Sequence, residues 1–432
     1  MKLMKTVTLF LALGIWFSLT IPGSPKDNAD HFVYVKSMNI SGLEHTRRSV
    51  VLRELTFNIP SRVAEQKIDE FKTRLTNLII FKRVQTSYAD SVLTLQIEEA
   101  PRYSIYPELS FIDRSWSKIN YGFDFTHFNL YGDKIYLSLS AQMGYNPGFS
   151  FNIVDDWFTS KKIILGISAY SGKIQNKMYP FKETHHNVSI LTGKRIRRDI
   201  YITVNNGIHF FSFPDKELAF FNKTDYFGKL YQAGISLLYD KRNYKFFPTR
   251  GAYLSASIST ESIQPFEMQY KHYMTDIRAY FPFAKTSLGF RQYTHFSSQS
   301  LPIYDGVYLG FSERLRGYFF KSYYGKALLL HHMEYRFPLF MPRYYSYPSL
   351  EETAPDYFKS YFSNLYFGIY GSLFIENGMI ENNYQSLNFR QSLTGYGFSL
   401  YFLLPFHNIL RADLAVNDGG QWEYIIEGRV SF

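Results

Sequence analysis

The sequence contains no cysteine, which excludes a disulfide framework, a thiolate metal site and a lipid-modified cysteine behind a leader. Past residue 24 it has no apolar run of the roughly 18 residues that marks a spanning helix, so a helical membrane protein is excluded as well. Proline and glycine, 17 and 27 of 432 residues, are too scarce for a disordered or collagen-like chain. The motifs HExxH and G-x-S-x-G are missing, as is a glycine-lysine phosphate loop, so nothing marks a catalytic, cofactor-binding or metal site. The histidine pairs at 185–186 and 331–332 do not change this. Neighbours on a strand point to opposite faces, so neither pair chelates by itself.

What the sequence does contain is aromatic: 37 Tyr and 41 Phe bring the aromatic share to 19%, far above ordinary globular usage. The formal charge is +10, but the cations are scattered, and no nucleic-acid partner is expected. Their densest cluster, "GKRIRRD" (Lys194, Arg195, Arg197, Arg198), reads as a hairpin end beside lipid phosphates. At the N-terminus Lys2 and Lys5 precede an apolar run from Val7 to Ile21, followed by Gly23 and Ser24. The run is shorter than the roughly 20 residues of a spanning helix, so residues 1–24 read as a signal peptide.

Residues 31–100 and 101–432 differ in period. In the first, "HFVYVKSMNISG" reads as a strand ending at Gly42, and Thr46 as the cap of a helix through Leu55. A second helix is expected near Ser61 and Glu65, because Val63, Ile68, Phe71, Leu75 and Leu78 recur near helical spacing. Two strands, "IIFKRVQTSYA" and "SVLTLQIEE", follow around a turn at Asp90 and Ser91. The order is strand, helix, helix, strand, strand.

From Pro101 the chain alternates with a period of two. In "DKIYLSLSAQ" Ile135, Leu137, Leu139 and Ala141 share one face, and Lys134, Tyr136, Ser138, Ser140 and Gln142 the other. The last segment sets Tyr424, Ile426, Gly428, Val430 and Phe432 against Glu423, Glu427, Arg429 and Ser431. Alternation fits a soluble sandwich or a membrane barrel; the leader, the strand length and the aromatics near strand ends favour the barrel. Lipid satisfies no open sheet edge, so such a sheet closes on itself.

Sixteen strands are expected, near 104–112, 119–128, 133–145, 149–157, 161–171, 183–194, 199–210, 228–241, 250–263, 268–281, 285–297, 326–337, 363–376, 390–403, 408–417 and 422–432. An even number is the bacterial rule. Connectors after even-numbered strands are short ("RIRR", "FPFA", "LPFH"), and long ones at 211–227 and 298–325 fall on the opposite side. The segment 338–362 breaks this pattern and reads as an insertion on the short-connector side, lying against the inner leaflet.

Several segments, in this order, resemble the outer-membrane assembly-factor superfamily (BamA/TamA-like). They are "MNISGLEHTRRSVVLREL", "LIIFKRV", "YDKRNYKFFPTRGAYLSASI", "RLRGY", "MEYRFPL", "LFIENG", "SLTGYGFSLYFLLP" and a terminal Phe432. The resemblance implies a mainly β fold: one small α+β POTRA domain at 31–100, then a sixteen-stranded antiparallel transmembrane β-barrel at 101–432. It implies an outer-membrane location with the POTRA domain in the periplasm, and no enzymatic turnover. The family's Arg-Gly-aromatic loop folds into the barrel, which makes Arg316, Gly317 and Tyr318 the matching residues. By strand alternation Glu334 and Glu376 point into the lumen and are the expected carboxylate partners of Arg316. The family usually has aspartate where Glu376 stands.

The seam between first and last strands is the second expected site. Pro107 suits an edge strand, and Gly428 allows a kink in the last one. In the family this seam opens so that client strands pair with it. The expected partners are unfolded outer-membrane or secreted polypeptides, outer-membrane lipid and periplasmic accessory proteins. A partner-specific secretion pore and a passive porin are the alternatives.

Overall fold

The computed structural model describes residues 31–111, 117–176, 181–212, 227–264, 268–298, 301, 305–355, 359, 361–382, 387 and 392–432. The leader expected at 1–24 lies outside them.

Seven elements form the small α+β unit. They are β1 (Phe32–Val35), β2 (Ser37–Ser41), α1 (Arg48–Leu52), β3 (Ser61–Ala64), α2 (Glu65–Thr76), β4 (Phe81–Ala89) and β5 (Val92–Glu99). The sheet order is β2-β5-β4, with β2 parallel and β4 antiparallel to β5. Helix α2 buries Ile68, Phe71 and Leu75, the positions its period selects: Phe71 and Leu75 against Phe81, Val84 and Leu95, and Ile68 against Val35, Val63 and Leu93. Two local readings change. Ser61 opens a strand, β3, that pairs with β1, so the first strand and the second helix are each preceded or split by an extra short pairing. Thr46 caps nothing in α1; its hydroxyl instead accepts from Asn129 Nδ2 at 2.8 Å, because the barrel lies directly against it.

The remainder is one sixteen-stranded antiparallel sheet. In chain order its strands are β6 (Tyr103–Phe111), β7 (Ile119–Leu130), β8 (Ile135–Gly144), β9 (Gly148–Asp155), β10 (Ile163–Gln175), β11 (Lys182–Arg197), β12 (Ile200–Ser212) and β13 (Phe227–Asp240). There follow β14 (Gly251–Gln264), β15 (Met268–Phe283) and β16 (Thr286–Ser297), and, past a loop holding the short pair β17 (Val307–Leu309) and β18 (Tyr323–Gly325), β19 (Ala327–Tyr345) and β20 (Leu365–Glu381). The last three are β21 (Leu393–Leu404), β22 (Asn408–Asn417) and β23 (Trp422–Glu427). Curling of the sheet brings Phe247, on the β13–β14 turn, within 4.9 Å of the Tyr370 ring and 5.3 Å of the Tyr401 ring across the interior.

All sixteen expected strands are present, with the larger differences at three places. Strand β19 runs on to Tyr345 and β20 continues to Glu381, so residues 338–345 of the supposed 338–362 insertion belong to the β19–β20 hairpin, and a short helix α3 (Pro348–Thr353) lies at its tip. Strand β23 stops at Glu427 rather than 432.

Candidate functional site: luminal loop, seam and latch

The loop between β16 and β19 folds back into the barrel. Val307, Leu309, Leu315 and Tyr318 of the loop pack with Phe211, Leu230, Ile263, Leu328 and Leu330 of the inner wall. At the centre Arg316 is 2% exposed. Its Nε donates to Glu376 Oε1 at 2.6 Å, and its backbone N–H to Glu376 Oε2 at 2.8 Å. Nη1 donates to Ser399 Oγ at 2.9 Å and lies 3.5 Å from Asp413 Oδ1, while Nη2 reaches Glu334 Oε2 at 3.2 Å. The guanidinium also stacks 3.5 Å from the Phe374 ring centroid. Both expected carboxylates are therefore brought to Arg316. Glu376 takes the Arg316 side-chain Nε and Nη2 (2.5 Å) on one oxygen and the backbone N–H of Arg316 on the other.

Gly317 has φ +93°, which L side chains rarely adopt, and a Cβ there would meet the Asn417 N and Val416 O at 3.2 Å. Gly395 is the second forced glycine, since a Cβ would lie 1.7 Å from the Arg316 carbonyl oxygen. Tyr318 is buried on the inner wall, and its hydroxyl donates to Asp418. Further ties come from Glu313 to Arg291 at 2.9 Å, from the Phe319 N–H to Glu423 at 3.0 Å and from Tyr270 to Asp305 at 2.6 Å. Sequence reasoning missed Asp413 and Ser399. Alternation put Asp413 on the polar face of its strand but gave no height in the lumen.

The seam differs from its expectation in one respect. Pro107 lies in β6, opposite Phe123 of β7. The sheet order runs from β23 to β6 and stops; among the described residues these two end strands form no ladder with each other. Tyr424 and Ile426 face outward, each 74% exposed. Phe432 does not share that face. Beyond Glu427 the chain leaves the ladder and turns into the lumen, where Phe432 is 2% exposed. Its ring stacks on Tyr280 at 6.0 Å and lies 5.3 Å from the Arg336 guanidinium. Ser431 donates to Glu334 at 2.5 Å. The alternation failed here because a polar, aromatic lumen offers Phe432 more contact than a sheet edge does. Gly428 marks the point of departure, but a Cβ there meets nothing closer than Ile409 O at 3.9 Å, so the turn does not demand glycine.

A third constellation was not legible as such. The α+β unit is tied to the barrel's turns on its own side by buried charges. Glu54, 3% exposed, receives Arg74 at 2.7 Å from α2 and Arg195 at 3.1 Å from β11. Arg74 continues to Asp199 at 2.6 Å, and Asp156, just past β9, holds Lys134 at 2.7 Å and Arg195 at 3.1 Å. Asn77 donates to the Asn243 carbonyl at 2.7 Å, and Arg47 pairs with Asp133 at 2.6 Å. The cluster assigned to lipid phosphates is thus corrected at Arg195, which is buried against the α+β unit.

Burial pushes the Glu54 carboxyl up, but Arg74 and Arg195 outweigh it and hold it below its ordinary 4.5. Asp156 is likewise opposed by burial and is drawn from 3.8 to about 2 by Lys134 and Arg195. Depressed carboxylate values stabilise the latch above the unfolded values and lose that contribution as pH falls through the folded ones. Protease release of the α+β unit is therefore expected to stay constant from neutrality to about pH 4.5, then rise between about 4 and 2. A latch that loosens already between pH 7 and 5 contradicts these pairings.

The histidines divide as strand geometry requires. His185 is luminal and hydrogen-bonds His209 at 2.7 Å and Glu183 at 2.9 Å, whereas His186 is exposed.

Comparison with known proteins adds the following. A family profile described as the Omp85 superfamily domain matches residues 129–432. Comparison with curated proteins finds no sequence relative. Among solved structures, the fold is similar to BamA from Haemophilus ducreyi lacking POTRA domains 1–3, with a TM-score of 0.54 at 15% identity, over 91% of this chain and 84% of that one. It is also similar to CdiB from Escherichia coli, with a TM-score of 0.50 at 10% identity, over 98% and 96%.

Proposed function

Because the chain belongs to the Omp85 superfamily, a transport and biogenesis family of the outer membrane, we propose that it inserts or translocates client polypeptides by lending them a strand edge. It is not an enzyme, it resides in the outer membrane, and its α+β unit faces the periplasm. In this reading residues 1–24 are the leader, 31–100 a client-binding POTRA domain and 101–432 the working barrel.

The observation that carries the proposal is the seam. Strand β6 is an edge strand, and residues 428–432, which would otherwise lengthen the opposite edge, are turned into the lumen. Exposed backbone groups facing hydrocarbon are costly, so an edge at this position favours an incoming strand. The unit's own outer strands, β2 and β4, offer the same augmentation in water. A passive porin is disfavoured by a lumen filled with a loop held at Arg316, Glu313, Tyr318 and Asp305.

The test is reconstitution in phospholipid vesicles with a urea-denatured eight-stranded barrel as client. The proposal expects insertion at least about tenfold faster than in protein-free vesicles, the effect of about 1.4 kcal/mol on the barrier. Equal rates contradict it, and large ion conductance without insertion favours the pore.

A further inference from the structure

The β19–β20 hairpin extends past the barrel rim toward the α+β unit, and its two sides differ in character. On β20 Leu373 and Ile375 face outward, 57% and 45% exposed, whereas Tyr370 is 9% exposed and packs inside. Alternation carries the outward face down to Ile369, Phe367 and Leu365, and the inward face to Tyr366. Opposed residues of an antiparallel pair share a face, so the register assigns β19: Phe340 opposes Ile369, Arg343 opposes Phe367, Tyr345 opposes Leu365, and Tyr344 opposes Tyr366. Two irregularities make this so. Leu339 is an extra residue before Phe340, and before Arg343 the two residues Met341 and Pro342 stand against the single Gly368, one residue in excess.

The consequence is a two-sided element. Outside, Phe340 meets Phe367 at 6.2 Å and Tyr345 at 6.3 Å, and Leu339 and Met341 remain exposed. Tyr347 and Leu350 extend the exposed apolar surface onto α3. Inside, the Tyr344 ring meets the Tyr366 ring at 5.3 Å, tilted by 57°, and lies 4.9 Å from the Arg83 guanidinium of β4. At the tip Asn364 accepts from Arg83 at 2.6 Å and donates to Glu98 of β5 at 2.8 Å.

We propose that the outer side of this hairpin is embedded in phospholipid of the periplasmic leaflet, while its inner side grips the α+β unit through Arg83 and Glu98. The hairpin is then a bracket that fixes that unit at the membrane surface. Three observations favour lipid as the occupant. The outer side is continuous, strand by strand, with the lipid-facing side of the barrel. Its residues are aliphatic and aromatic with one arginine, the mixture that suits a membrane interface. An apolar patch of this extent facing water marks an interaction surface.

The native chain lacks cysteine, so single labels are unambiguous. Full-length Phe340→Cys, Leu350→Cys, Leu373→Cys and Tyr88→Cys proteins carry an environment-sensitive fluorophore in phosphatidylethanolamine and phosphatidylglycerol vesicles doped with acyl-chain nitroxide lipid. Leu373 reports the barrel's lipid face, and Tyr88 the exposed side of the α+β unit. Labels at 340 and 350 are expected to be quenched within about twofold of the label at 373, and the label at 88 scarcely at all. Quenching at 340 and 350 as weak as at 88 overturns the proposal, whether water, a client or an accessory protein covers the hairpin instead. The result is independent of the client-insertion assay, so the two readings fail separately.

Discussion

Arg316→Ala is expected to free the luminal loop and destabilise the protein by about 3–5 kcal/mol, the usual cost of removing one partner from a buried ion pair. The substitution leaves Glu334, Glu376 and Asp413, all at most 4% exposed, with two guanidiniums, Arg336 and Arg411, in place of three. It also removes the donor to Ser399 and the packing on Phe374. The sixteen-stranded ladder makes none of its backbone hydrogen bonds through this side chain, so the barrel is expected to form. Two measurements check this: the urea midpoint in detergent, and trypsin cleavage after Arg314 and Lys321. Arg316→Lys is expected to fall between, because a point charge cannot hold Glu376, Glu334 and Ser399 together as a planar fork does. Glu376→Gln keeps an acceptor but loses the charge and should cost less than Arg316→Ala. Unchanged trypsin protection in Arg316→Ala contradicts the pairing.

The second large effect concerns the open edge. In an antiparallel strand, successive residues turn their backbone groups to opposite neighbours. Arg102 accepts from the Phe128 N–H at 2.7 Å, so even-numbered positions here serve the β6–β7 ladder and odd-numbered ones face the seam. Pro107 is odd-numbered, which is why a residue without an N–H is tolerated there. The seam-facing groups near it are those of Tyr103, Ile105 and Leu109. Replacing Ile105 or Leu109 by proline removes a donor from the open edge and none from the existing ladder. Each lost hydrogen bond is worth about 1 kcal/mol, so each substitution is expected to slow client insertion several-fold, and the pair on the order of a hundredfold once steric blocking is added.

The alternation that fixed the strands also oriented Glu334 and Glu376, because facing is a local property of a period of two. What it could not supply was stagger. Asp413 and Ser399 lie on inward positions like many others, and only the tilt of strands around the barrel brings them level with Arg316. Glu54, Arg74 and Arg195 were equally invisible, since they are separated by 20 to 141 positions in the chain and meet only where two structural units touch. At 338–345 two one-residue irregularities displace the alternation only between them: Phe340 faces outward where a strict period from Phe337 would put it inward, and the second irregularity restores the period at Arg343, Tyr344 and Tyr345. At 428–432 the alternation was right about chemistry and wrong about place, because it presumed a partner strand that the seam lacks.

Client insertion by the Ile105→Pro/Leu109→Pro protein, compared with Ser104→Pro and the unsubstituted chain in the same vesicles, tests the edge most directly. The account predicts that the double substitution lowers insertion to the rate of protein-free vesicles while heat-modifiable mobility shows a folded barrel, and that Ser104→Pro instead weakens the barrel itself. Full insertion activity in the folded double variant would contradict it.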